Sequence, residues 1–196
     1  MKADIELRVR LKVADLVAQT AQMALAEKMG FEEDLRGIVR YSYWSMTAEG
    51  GSLEEIVEAL DREIRLDSAF TNQNKHHYLL RVEGDGRKAF RGGLDLDKDY
   101  PGAAEGVFAC DVLVTEQDGR RNEGFAERLA PRLEGIDISN MRSGEVWRLL
   151  VRAGSGEEAA RKVERMAVTR TRREGLLLNP HYQAYEILQS RAMGGG

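Results

Sequence analysis

Residues 38–55 read IVRYSYWSMTAEGGSLEE, and residues 145–158 read EVWRLLVRAGSGEE. Both stretches run from an apolar, strand-like segment containing a tryptophan, through a Gly-Ser turn, into an acidic helix start. Trp44 and Trp147 are 103 residues apart, and the serines of the two Gly-Ser turns are separated by the same distance. A fixed spacing between equivalent positions indicates an internal repeat. The chain is therefore predicted to contain two related halves.

A second set of landmarks supports the repeat. Asn72 and Tyr78 are separated by five residues in the first half, and so are Asn179 and Tyr185 in the second. Both pairs are offset by 107 residues, which implies about one additional helical turn in the second half.

Each half is predicted to fold in the order strand, helix, strand, helix, strand. Residues 5–11 alternate between apolar and charged side chains, which is the period of a strand with one buried face. Asp15 is expected to cap the first helix, and Gly30 to end it. Ser52 and Glu55 stand three residues apart at the next helix start, the spacing of a capping box.

The second half is predicted to repeat this order, with strands over 107–114, 136–141, 145–151 and 182–188 and helices over 122–133 and 157–173. Pro131 is expected to end or kink the first of these helices, because proline lacks an amide hydrogen and clashes with the preceding turn.

The fold class predicted from this order is α+β. A β-α-β-β-α-β unit of the ferredoxin-like type forms an antiparallel sheet with both helices on one face. The predicted organisation is a pseudo-two-fold tandem, with repeat 1 over 1–83, a Gly/Asp-rich linker over 84–106, repeat 2 over 107–190 and a disordered tail over 191–196.

The composition excludes several classes of protein. Hydrophobic residues make up 42% of the 196 residues and charged residues 32%, a balance that is too apolar for intrinsic disorder. The formal net charge of −4 excludes a chain that is cationic throughout, as many nucleic-acid binders are. No apolar run is long enough to span a membrane and no apolar signal segment follows Met1, so a cytoplasmic location is expected.

No catalytic and no metal-ligating residue is predicted. Cys110 is the single cysteine, so an internal disulfide framework and a multi-cysteine zinc site are excluded, and its place in an apolar strand predicts a buried thiol. His76 and His77 are adjacent and would point to opposite faces of a strand, so they cannot share one metal ion.

Four segments of the second half resemble the PurS small subunit of phosphoribosylformylglycinamidine synthase. They are the strand and turn that begin at 112–115, the strand and turn over 138–145, the charged helix over 157–166, and the ending in which Asn179-Pro180 is followed by Tyr185-Glu186-Ile187. The first half shows a fainter version, in which Gln73 replaces the proline. Two features depart from the family: residues 116–121 replace its Pro-Gly-rich turn, and one chain holds two units.

The resemblance implies a non-catalytic assembly subunit in purine biosynthesis. Members of the family hold an ammonia-releasing glutaminase and an ATP-dependent synthetase together. The expected partners are therefore a synthetase and a glutaminase, with a homo-oligomer possible, and no cofactor, nucleic acid or membrane is expected. Two other functions stay open, namely a small-molecule sensor with a ligand cleft between two ferredoxin-like units and an RNA-binding module.

The predicted site residues fall into two groups. The candidates for partner or ligand contact are Trp44, Arg142, Trp147, Asn179, His181 and Tyr185. The candidates for phosphate binding are Arg165, Arg172 and Arg173, which lie in a basic run between residues 161 and 173. Guanidinium groups bind phosphate through charge-assisted hydrogen bonds. The alternative for the basic run is an ordinary solvated helix face whose cations complement the helix dipole.

Overall fold

The structure is a computed structural model that describes residues 1–96, 104–117, 120–171 and 174–193. The described strands are β1 (Lys2–Leu11), β2 (Leu35–Gly50), β3 (His76–Gly84), β4 (Arg87–Gly92), β5 (Val107–Glu116), β6 (Ile136–Arg152) and β7 (Gln183–Ala192). The α-helices are α1 (Leu16–Met23), α2 (Leu53–Leu66), α3 (Arg120–Leu129) and α4 (Gly156–Ala167). The mixed α/β class and the antiparallel pairing of the strands are confirmed.

The chain folds into two compact units, each assembled from three separate segments. Unit 1 comprises Met1–Val13, Tyr41–Asp95 and Asp118–Gly144. Unit 2 comprises Ala14–Arg40, Leu96–Gln117 and Glu145–Gly196. Each unit therefore takes residues from both of the halves that the sequence predicts.

Unit 1 contains a sheet in the order β4-β3-β1-β2-β6, with α2 and α3 against its apolar face. Alternate residues of β1, beginning at Ala3, point into this core. The apolar stripe of α2 covers them, and Leu129 and Leu133 close the core from α3 and the turn after it. Ser52 and Glu55 form the predicted capping box at the start of α2.

Unit 2 contains a sheet in the order β2-β6-β5-β7, with α1 and α4 against it. Ala18, Ala21 and Leu25 face inward from the first helix, and Val163 and Met166 face inward from α4. Small residues on the inner side of α1 let its backbone approach the sheet closely.

The predicted order of strands and helices is confirmed apart from the additional strand β4, and three elements differ in their bounds. The strands predicted at 136–141 and 145–151 are one continuous strand, β6. Helix α4 ends at Ala167 instead of near Arg173, because Val168 turns to an extended conformation and bridges to Leu178. The helix predicted over 122–133 ends at Leu129. Pro131 lies in the 3₁₀ turn that follows, Ala130–Arg132, as expected of a residue that cannot continue an α-helix.

The predicted domain boundaries need correction. The segment predicted as a linker, 84–106, begins with strand β4, which pairs with β3 in a hairpin. The unit boundaries do not follow 1–83 and 107–190, because α1 packs in unit 2 and α3 packs in unit 1. At the predicted tail, Arg191 and Ala192 belong to β7, whereas residues 194–196 lie outside the described part. The repeat itself stays a prediction.

Candidate functional site

Trp44, one of the predicted contact residues, is a core residue of unit 1. Its side chain is 3% exposed and packs edge-on against Phe70 and Phe125, with ring centroids 5.4 Å apart in each pair. The indole Nε1 has no hydrogen-bond acceptor and is surrounded by these rings. A residue buried in this way cannot contact a partner, so Trp44 is removed from the candidate site.

Trp147 is also buried, at 6% exposed, in the core of unit 2, but its side chain lines an open apolar groove. The groove has a volume of about 520 Å³. We call it the Trp147 groove, and it is lined by Leu16, Val17, Thr20, Ala21, Ala24, Trp147, Leu176 and Leu177. Among its described lining residues, polar groups are the indole N–H of Trp147 and the hydroxyl of Thr20, which donates to the carbonyl oxygen of Leu16 at 2.7 Å. The groove therefore offers a bound molecule apolar contact and no charge.

The indole of Trp147 is held by a clamp of charged residues. The guanidinium carbon of Arg40 lies 5.6 Å from the centre of the ring, within the range of a cation–π contact. Arg40 donates to Asp15 Oδ2 at 2.9 Å and to Glu145 Oε1 at 3.0 Å. Asp15 also caps α1 by accepting from the amide of Val17 at 2.9 Å. One guanidinium thus fixes the ring and the start of α1 to the same strand.

The apolar side chains at the rim of the Trp147 groove are strongly exposed to solvent. The exposed fractions are 71% for Leu16, 50% for Val17 and 43% for Leu176. Contiguous exposed apolar residues of this kind mark binding surfaces more often than scattered ones do. The helix also changes from α to π geometry at Ala24, within the groove, and such π turns are frequent at functional sites.

The segment after α4 supplies the other wall of the groove. Leu176 and Leu177 are fixed by backbone hydrogen bonds to the carbonyl oxygens of Met166 and Ala167, each at 3.0 Å. Gly175 adopts a φ of +79°, and a Cβ at this position would lie 1.7 Å from the carbonyl oxygen of Val168. Only glycine fits there, so the wall depends on this residue.

Three predicted contact residues, Asn179, His181 and Tyr185, are exposed near the start of β7. The Asn179 side chain accepts from the amide of His181 at 3.0 Å and so shapes the turn. The Tyr185 hydroxyl donates to Glu164 at 3.0 Å, and burial, followed by this bond, raises its pKa. The structure thus leaves the imidazole of His181 at the surface, while Asn179 and Tyr185 have internal hydrogen bonds.

The predicted phosphate site is weakened by its acidic neighbours. Arg165 lies over the ring of Phe31 at 5.8 Å and pairs with Glu174 at 3.5 Å. Arg170, in the same basic run, pairs with Glu164 at 2.7 Å. The other two candidates, Arg172 and Arg173, lie outside the described residues. Arg165 and Arg170 are therefore already bound by carboxylates.

Arg142 lies on β6 in unit 1, whereas the residues that line the Trp147 groove belong to unit 2. Its charge lowers the pKa of Tyr43, but burial has the largest effect and raises that pKa. Tyr43 lines a polar cavity of about 260 Å³ with Glu6, Arg81 and other side chains on the same sheet face. Arg81 pairs with Glu83 at 2.5 Å and with Glu6 at 3.7 Å, so these charges of the cavity are balanced internally.

Within the described ranges, no group of three or more His, Cys, Asp or Glu side chains could hold a metal ion. Cys110 is buried, as predicted, and donates to the Ser190 hydroxyl at 3.4 Å. Burial is the main cause of the raised pKa of its thiol, which disfavours the reactive thiolate. No helix in the part of the chain that is described has both the length and the apolar character needed to cross a membrane.

The sequence-based prediction found Trp147 but missed the helix that completes its groove. The missed residues are Leu16, Val17, Thr20 and Ala24. A signal was present, because the stretch from Leu16 to Ala26 contains no charged residue in a chain that is 32% charged. A surface helix normally carries its charges on the side that faces water.

Comparison with protein families, curated proteins and solved structures found no match to this chain.

Proposed function

We propose that the chain is a non-catalytic assembly protein that acts by binding other proteins. In the specific form that its resemblance implies, it consists of two tandem PurS-like repeats and holds a glutaminase and an ATP-dependent synthetase together in purine biosynthesis. Two equivalences support the repeat. Ser52 and Ser155 both cap helices, and each helix follows a long strand that contains a tryptophan.

The Trp147 groove is the observation that carries the binding function. It joins a rigidly held aromatic ring to a rim of exposed apolar side chains, and protein interfaces are enriched in aromatic residues and depleted of charge at their centres. Among its described lining residues none carries a carboxyl, imidazole, amine or thiol group, and the hydroxyl of Thr20 donates to the carbonyl oxygen of Leu16. Binding by exclusion of water is therefore the chemistry that this groove supports.

A reconstitution experiment tests the proposed partners. The synthetase and the glutaminase from the same source are purified, and glutamine-dependent formation of the amidine is measured with and without this chain. We expect activity only when the chain is present, together with a ternary complex that co-elutes in gel filtration. If the chain neither joins the complex nor changes the rate, this function is wrong.

Two variants then locate the contact. We expect His181→Ala to weaken the complex, because this exposed side chain lies on the turn that carries the family resemblance. Phe90→Ala is the matched control, since Phe90 is also exposed, at 53%, but lies on β4 in unit 1. Equal loss in both variants would contradict a contact at the turn before β7.

A further inference from the structure

Helix α1 has apolar residues on both of its sides. The inner side, which includes Ala18 and Ala21, packs in the core of unit 2. We call the other side the α1 outer face; it consists of Leu16, Val17, Thr20, Met23 and Ala24. Leu16, Val17 and Met23 are 71%, 50% and 58% exposed, so this face presents large apolar side chains to solvent. A surface helix normally turns polar side chains toward water, and a group of exposed apolar ones indicates a contact surface.

The sequence of the α1 outer face is complementary to itself. When two copies of a helix cross antiparallel about a two-fold axis at Thr20, a residue four positions before Thr20 faces the residue four positions after it. Leu16 of one copy then faces Ala24 of the other, which places a large side chain against a small one. Val17 faces Met23, which places two apolar side chains together, and Thr20 faces itself. Large side chains packed against small ones are what close helix contacts require.

The distribution of charge also favours contact between two copies of the α1 outer face. A two-fold interface brings identical residues together, so any net charge on the contact face would repel its own copy. The chain carries a formal charge of −4, yet residues 16–26 carry none. Asp15, next to Leu16, and Glu145, two residues before Trp147, are both paired with Arg40. The α1 outer face therefore carries no charge that would oppose contact with its own copy.

From these observations we propose that the α1 outer face binds a second copy of this chain, with α1 antiparallel to its copy about Thr20 and Leu16 of each copy inserted beside Ala24 in the Trp147 groove of the other. The inference rests on the proposed function only in taking the groove as a surface that binds protein. It does not depend on the glutaminase or the synthetase, so the two proposals can fail separately.

Disulfide trapping tests the geometry. Thr20→Cys places a thiol on the two-fold axis, opposite its own copy. Gln19→Cys is the matched control, because Gln19 is also exposed on α1 but lies about 100° further round the helix. The native Cys110 is buried and is present in both variants. Under mild oxidation we expect Thr20→Cys to form a covalent dimer at least tenfold faster than Gln19→Cys, and equal rates would overturn the proposal.

Mass measurement tests the association itself. Sedimentation and light scattering at increasing concentration should show a species of twice the chain mass of 22.0 kDa. Val17→Glu places two carboxylates in the apolar contact and is expected to weaken the dimer at least tenfold while circular dichroism shows a folded monomer. Leu66→Glu is the control, since Leu66 is 72% exposed on α2 of unit 1 and should leave the dimer unchanged.

A mixing experiment tests the register. Leu16→Lys and Ala24→Glu should each weaken the dimer, whereas an equimolar mixture should restore it, because position 16 of one copy faces position 24 of the other. Failure of the mixture to associate would overturn this pairing. The proposal would be wrong if the wild-type chain stayed monomeric at 200 µM. If that monomer bound the neutral apolar dye N-phenyl-1-naphthylamine and Val17→Glu did not, the α1 outer face would instead bind a small apolar ligand.

Discussion

At the scale of single residues, Arg40 links three parts of unit 2. It stacks on Trp147, pairs with Asp15 at the start of α1 and pairs with Glu145 on β6. Its side chain is only 23% exposed, so these interactions are less screened by water than those of surface ion pairs. The position of Trp147 in the groove therefore depends on a residue that does not itself line the groove.

Replacing Arg40 by glutamine is expected to lower the free energy of unfolding by about 1–2 kcal/mol, because one cation–π contact and two partly buried ion pairs are lost. Urea unfolding measures the change, and fluorescence should report a more mobile Trp147. Arg87→Gln is the control, since Arg87 is 57% exposed and pairs with Glu54, which is 64% exposed, so about 0.5 kcal/mol or less is expected. Equal effects in the two variants would contradict the clamp.

Tyr78 provides a prediction about pH in unit 1. Burial, followed by a 2.5 Å hydrogen bond to Asp61, raises the pKa of its phenol from 10.0 to about 12. A raised pKa means that the folded protein favours the protonated phenol. The stability that this group contributes is therefore fully present below pH 10 and is lost as the pH rises through about 12.

Absorbance of the phenolate at 295 nm tests this prediction. The step that disappears in Tyr78→Phe should have its midpoint near pH 12. Asp61→Asn removes the negative charge beside the hydroxyl, so in this variant the pKa of Tyr78 should fall. A midpoint near 10 in the wild-type protein, or no change in Asp61→Asn, would show that Asp61 does not stabilise the phenol.

At the scale of elements, the wall of the Trp147 groove depends on the tight turn at Gly175. Alanine at this position would need a left-handed conformation and would also collide with the backbone of Val168. Gly86, in the β3–β4 turn, has a similar φ of +71° but open space around it. Comparing alanine variants at the two positions therefore separates the free-energy cost of the left-handed conformation from that of the collision with the backbone.

Gly86→Ala is expected to cost about 1–2 kcal/mol, which is the penalty for the left-handed conformation alone. Gly175→Ala should cost more, because the backbone must also move. The displaced wall should in addition weaken any binding at the Trp147 groove, whereas Gly86→Ala should leave binding unchanged. Equal losses of stability, measured by urea unfolding, would mean that the segment adjusts without strain.

The features that act over short distances along the chain could be predicted from the sequence. The alternation in β1, the capping box at Ser52 and the stop at Pro131 all act within a few residues, and each was predicted correctly. The two tryptophans show where prediction ends. Trp44 and Trp147 occupy similar strand positions, but one is enclosed by Phe70 and Phe125 and the other lies below a groove. That difference depends on which helix covers each strand.

At the scale of the whole molecule, hydrophobic periodicity shows that a helix has an apolar stripe but not which sheet will cover the stripe. The sequence order suggests that α1 packs on the sheet of the first half. In the structure α1 contributes to the core of unit 2, and α3 contributes to the core of unit 1. The predicted halves of the sequence are therefore not the units that bury apolar surface.

This exchange of helices makes a prediction about fragments. The fragment 1–95 would lack Leu129, Leu133 and Ile136, which are at most 7% exposed in the core of unit 1. Burying each side chain of this size contributes about 1.5–3 kcal/mol, so the loss is roughly 5–9 kcal/mol. A whole domain of this kind is stable by only about 5–15 kcal/mol. The fragment 96–196 is affected in the same way, because it lacks α1 and Leu25, which follows α1 in the chain.

We therefore expect neither fragment to fold alone, although each contains a complete set of strands and helices by the sequence order. An equimolar mixture should recover the circular dichroism and the cooperative unfolding of the intact chain, because together the fragments supply both cores. Repeats that fold independently would behave differently, since each fragment would unfold cooperatively by itself. A cooperative unfolding transition in the fragment 1–95 alone would contradict this prediction. It would show that the first half can form a stable core without α3.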